Sequence, residues 1–141
     1  MRYIGIDFGE KRVGLAMGDA EVGIAGVLQA VRRVSDADCI EAIRSLVEKE
    51  GVGGLVIGLP LNMDDSVGLQ AKRIERFARK LQEATGLVVS FVDERLTTDA
   101  AKRLLRDTPL SRQKRTARED GLAARIILQT FFDSKKWSAV R

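Results

Sequence analysis

The 141 residues fit one domain, 1–141, of ordinary size and include no histidine, which removes Ser-His-Asp hydrolysis, histidine-ligated zinc, HExxH proteolysis and every imidazole acid or base. A single cysteine, Cys39, cannot form an intrachain disulfide or a cysteine zinc site, so a reducing cytoplasm is expected and the thiol reads as a small core residue. The 24 basic and 20 acidic side chains net only +4, yet residues 95–118 hold eight basic residues against two acids, a run that reads either as a solvated face or as a polyanion-binding patch.

Residues 2–6, 12–17 and about 24–31 are short, β-branched and punctuated by glycine, the pattern of three consecutive antiparallel strands joined by tight turns. A helical period follows: Ser35 and Asp38 resemble a capping box, Ile40, Ile43, Leu46 and Val47 form an apolar stripe, and Gly51 lies just past its end. The stretch GLVIGLP, 54–60, predicts a buried strand. Beyond the polar loop LNMDDS a second helix runs to about Ala84, with Ile74, Phe77, Ala78 and Leu81 on one face and Gly86 as its stop. LVVSFV, 87–92, predicts another buried strand. Thr98 is placed to cap a short helix, DTPLSRQKRTARE reads as a basic loop, and a final helix from about 118 to 133 stripes Ala123, Ala124, Ile127 and Phe131. The order βββαβαβαα, with the later strands apolar on both faces, predicts an α/β mixed sheet covered by helices on each side. No apolar run has the roughly 18 to 20 residues of a membrane span, or the layout of a signal peptide, so a soluble protein without a membrane partner is expected.

Three acids stand at informative places. Asp7 ends the first strand, Glu94 follows the last, and Asp120 falls in the first turn of the final helix, in line with Ala124, Ile127 and Phe131. Asp7 by itself reads equally as a turn-former, and an acid in a first helical turn is ordinary because it complements the helix dipole. An acid on a core-facing stripe, however, needs a positive partner. Ligands gather beyond the carboxyl ends of parallel strands, where three carboxylates from separate elements can meet at one metal-binding point. Asp93 and Glu94 cannot both face such a point, because neighbouring strand side chains alternate.

GIDFGEKRVGLAMGD, VIGLPLNMDDS, VDERLTT and REDGLAARIILQTFFD stand in the order and approximate spacing of the YqgF family. The chain therefore resembles the Holliday-junction-resolvase-like proteins of bacteria, also described as pre-16S ribosomal RNA nucleases. The resemblance covers nearly the whole chain. It implies a ribonuclease-H-like fold with a mixed five-stranded sheet, and a nuclease in which Asp7, Glu94 and Asp120 are the catalytic residues and bind Mg²⁺ or Mn²⁺. It further implies a nucleic-acid substrate, either precursor ribosomal RNA or branched DNA, and a monomer or homodimer. Two departures stand out: Glu119 precedes the helix acid where a small or apolar residue is usual, and Asp65 stands where glycine is commoner.

Two metal ions roughly 3.5 to 4 Å apart, held by hard oxygen ligands, activate water and stabilise the leaving oxygen without histidine. Arg95, Thr97, Lys114 and Arg115 are then expected to hold phosphates, with Asn62 and Asp64 as outer contacts; the bland reading makes Asn62 a brace for its own loop. Two rival functions are set beside the nuclease. GIDFG also resembles the first phosphate motif of the actin and sugar-kinase ATPases, which close two such domains around ATP where this length supplies one. A non-catalytic nucleic-acid binder with relic carboxylates is the other.

Overall fold

The computed structural model describes residues 1–28, 30–32, 35–62, 64, 66–94 and 112–139, with the side chains of 112–120 and 135–139 excepted. Strands β1 (Arg2–Phe8) and β2 (Arg12–Asp19) form an antiparallel hairpin in which Asp7 stands opposite Gly14. Strands β3 (Ile24–Val27) and β4 (Val31–Arg32) both pair antiparallel with the far side of β2. Strand β5 (Val52–Leu59) lies parallel to β1, and β6 (Val89–Asp93) parallel to β5, giving the order β3-β2-β1-β5-β6.

The mixed sheet thus has five positions across, but the third predicted strand is in two pieces. Val27 pairs with Ala16 and Val31 with Val13, so four steps along the edge match three along β2. The extra residue breaks the ladder, as a bulge does.

Strand alternation divides the core into two layers. Ile4, Ile6 and Phe8 pack with Val13, Leu15, Leu55 and Ile57 against helices α1 (Asp36–Glu50) and α2 (Leu69–Thr85), through Cys39, Ile43, Ile74, Phe77 and Leu81. Tyr3, Ala16, Val56 and Val92 pack on the other side against Ala124, Ile127, Leu128 and Phe132 of helix α3 (Arg112–Ala139). Ser35 caps α1 by accepting a hydrogen bond from the Asp38 amide at 3.1 Å, and Gly51 and Gly86 end α1 and α2 in the left-handed conformation.

Helix α3 begins at Arg112, whereas the sequence reading keeps 107–119 as loop. Arg, Gln and Lys are good helix formers, so the absence of an apolar stripe does not stop a helix from extending beyond the part that packs. Asp120 consequently lies in the third turn, where the dipole explanation no longer applies. The short helix predicted after Thr98 lies outside the described residues. Among the described residues no helix is long and apolar enough to cross a membrane.

Candidate active site

Helix α3 rests directly on β1 because Gly5 has no side chain. A Cβ at Gly5 would lie 2.7 Å from Leu128 Cβ and 2.8 Å from the Ala124 carbonyl oxygen. Gln129 ties the helix to the edge, accepting from the Ala25 amide at 3.0 Å and donating to the Gly23 carbonyl at 2.8 Å. These contacts set the register of α3 over the sheet. Four helical residues advance about 6 Å, close to the roughly 6.6 Å of two strand residues. With Tyr3 against Phe131 and Phe132 and Gly5 beneath Ala124 and Leu128, the helix runs antiparallel to β1, and position 120 falls toward the carboxyl end of that strand.

Asp7 is half-buried at the carboxyl end of β1, on the α3 face with Tyr3 and Gly5. Glu94, also half-buried, follows β6 and shares the face of Val92. The two strands are separated by β5, so their backbones stand roughly 10 Å apart, too far for two upright carboxylates to share an ion. Gly58 on β5 closes the distance. It pairs with Val92 and lies one step beyond the Ile6–Ile57 pair, which puts it beside Asp7. A Cβ at Gly58 would fall 2.7 Å from Glu94 Oε1, 3.1 Å from Glu94 Cγ and 2.6 Å from Ile127 Cδ1. The Glu94 carboxyl is therefore folded back over the middle strand, toward Asp7. Gly14, which has no side chain, stands opposite Asp7 on β2.

Burial pushes the Glu94 carboxyl above the usual carboxylate range, and the negative charge of neighbouring Asp93 raises it further. Asp93 itself turns to the opposite face by strand alternation. The row thus presents two oxygen donors in a partly desolvated cradle that a side chain at Gly58 would fill. Hard cations take such donors. Among the described residues no group of three acids or cysteines gathers; the third expected ligand, Asp120, lies on α3 with its side chain outside the described residues.

The other expected contacts are placed unevenly. Lys114 and Arg115 belong to α3, not to a loop, and their side chains lie outside the described residues, as do Arg95 and Thr97 altogether. Asn62 is exposed in the loop after β5; its Nδ2 donates to Ser66 Oγ at 2.9 Å, and Ser66 Oγ donates to Asp64 Oδ1 at 2.6 Å. Both residues brace their loop in this structure. Gly58 is the site residue that sequence reasoning missed. Its signal was present in VIGLP, as a glycine near the end of an apolar strand, on the same alternation as Asp7 and Glu94.

A mixed sheet of this order, with acids at the carboxyl ends of parallel strands, defines a ribonuclease-H-like protein. The Thermus thermophilus RuvC resolvase, solved in complex with a Holliday junction substrate, shares the fold: its TM-score is 0.62, over 96% of each chain, at 13% identity. The chain belongs to the RuvX family, described as Holliday junction resolvases, whose family model matches residues 1–134; it is a nuclease by that membership. A relative from Caldanaerobacter subterraneus is 42% identical over 96% of this chain and 99% of its own, and one from Moorella thermoacetica is 45% identical over 94% and 95%. Both carry the name "Putative pre-16S rRNA nuclease".

Proposed function

We propose that the chain is a divalent-metal-dependent endonuclease that hydrolyses phosphodiester bonds of structured nucleic acid, with precursor 16S ribosomal RNA as its substrate. The observation that supports this most is the Glu94 carboxyl folded over Gly58 toward Asp7, at the strand ends where such folds bind ligands. Asp7 and Glu94 would hold Mg²⁺ or Mn²⁺, with Asp120 as the third ligand, and the bound cation would supply an activated water and charge stabilisation at the phosphate. Around it the chain's own residues orient the substrate: Arg95, Thr97, Lys114 and Arg115 take phosphates, and the braced Asn62 loop forms one wall of the approach. The curated relatives' names favour the RNA substrate, and a nuclease of precursor ribosomal RNA would act in the cytoplasm.

The family description favours a second substrate, branched DNA. A cleavage assay on a precursor 16S ribosomal RNA fragment and on a four-way DNA junction, each with Mg²⁺, Mn²⁺ or EDTA, separates them. Wild type should cut the RNA only with metal, and Asp7→Asn should fold yet lose cleavage by about 10³-fold or more. Cutting confined to the junction overturns the RNA reading. Cutting in EDTA, or undiminished in Asp7→Asn, overturns the metal site.

A further inference from the structure

Two arginines stand beside the acid row, on the same face of the sheet. Val13 and Leu15 of β2 face α1 and α2, so Arg12, Gly14 and Ala16 take the α3 face by alternation. Asp7 pairs with Gly14, which makes Arg12 its diagonal neighbour on that face, roughly 7 to 8 Å away between backbones. The Arg12 side chain reaches inward far enough for Nη1 to be fully buried, and that nitrogen has no hydrogen-bond partner. Elsewhere Arg2 pairs with Glu50, Arg44 with Glu41 and Glu48, and the N-terminal ammonium with Asp19.

Directly across the β2–β4 ladder from Arg12 stands Arg32. Like charges facing each other across an antiparallel pair repel, and a buried guanidinium N–H without an acceptor is unfavourable. An anion seated between the two guanidinium groups would relieve both. Guanidinium suits phosphate best, because its planar fork donates two parallel hydrogen bonds.

Resting on the nuclease reading above, we infer that Arg12 and Arg32 form a clamp for a phosphodiester of the substrate, next to the one held at the acid row. The clamp lies on the β2 side of Asp7, opposite Glu94. It would fix the strand's path across the carboxyl rim of the sheet without reading its sequence.

The test uses Arg12→Met, Arg32→Met and the double variant of the full chain. Binding of a labelled RNA stem-loop and of a four-way DNA junction is read by fluorescence anisotropy across a KCl series, with Ca²⁺ replacing Mg²⁺ to separate binding from cleavage. Each single change should weaken both ligands about tenfold and flatten the slope of log K against log salt by about one unit, and the double by about two. Because the Arg12 N–H is unsatisfied, Arg12→Met should melt at or above wild type without ligand. Variants that bind with wild-type affinity and slope overturn the clamp while leaving the nuclease reading intact. Wild type that binds neither ligand overturns both. A marked fall in melting temperature for Arg12→Met, with Arg32→Met binding normally, assigns Arg12 to the fold and also overturns the clamp.

Discussion

Gly58→Ala tests whether the position of the Glu94 carboxyl is what the middle strand provides. The added methyl would sit 2.7 Å from Glu94 Oε1 and 2.6 Å from Ile127 Cδ1, both ends of side chains that can swing away. Reaching ordinary contact requires a shift of roughly 0.5 to 1 Å. For Ile127 this is mild crowding, about 1 to 2 kcal/mol, partly offset by the roughly 0.4 to 1 kcal/mol gained when a less flexible residue replaces glycine. The melting temperature should therefore move by only a few degrees. For Glu94 the same displacement is serious, since about 1 Å of misplacement in a catalytic group can reduce the rate on the order of 10²-fold. Single-turnover cleavage under saturating Mg²⁺, beside thermal melting by circular dichroism, reads both effects. A variant that folds and cleaves at the wild-type rate would refute the role given to the folded-back carboxyl.

The same substitution at Gly5 should do the opposite. There the methyl meets the Ala124 carbonyl and Leu128 Cβ, which move only if α3 lifts, so Gly5→Ala should lose about 2 to 3 kcal/mol and roughly 5 to 10 °C in melting temperature; an unshifted curve would contradict the direct seating of the helix. Glu94→Gln should alter stability with a definite pH signature in EDTA. Because the folded carboxyl titrates above its usual range, the native state keeps a proton that the unfolded chain has released, and stability falls as pH rises through that window. The variant lacks this loss, so at neutral pH it should melt at or above wild type, with the difference closing below about pH 4; a lower melting point at neutral pH would count against the desolvated carboxyl.

The local chemistry of the chain carried much of the architecture. Ser35, Gly51 and Gly86 mark helix ends through their own backbone and side-chain preferences, and the apolar run around Val56 announces a strand buried on both faces; the run 87–92 reads the same way, but β6 is an edge strand and leaves Val88 and Phe91 exposed. Alternation alone separates Asp93 from Glu94. Other features depend on partners distant in sequence. The break between β3 and β4 arises from a mismatch in step count against β2, which no single strand displays. The start of α3 at Arg112 was hidden because its first turns have no apolar stripe, and helix propensity without packing leaves only a weak mark. The Glu94 carboxyl lies over Gly58, thirty-six positions earlier, and Arg12 is opposed to Arg32, only because parallel and antiparallel registers bring those backbones side by side. Residue type determined which groups this protein has for chemistry; strand register, a property of pairs of segments, decided which of them stand together.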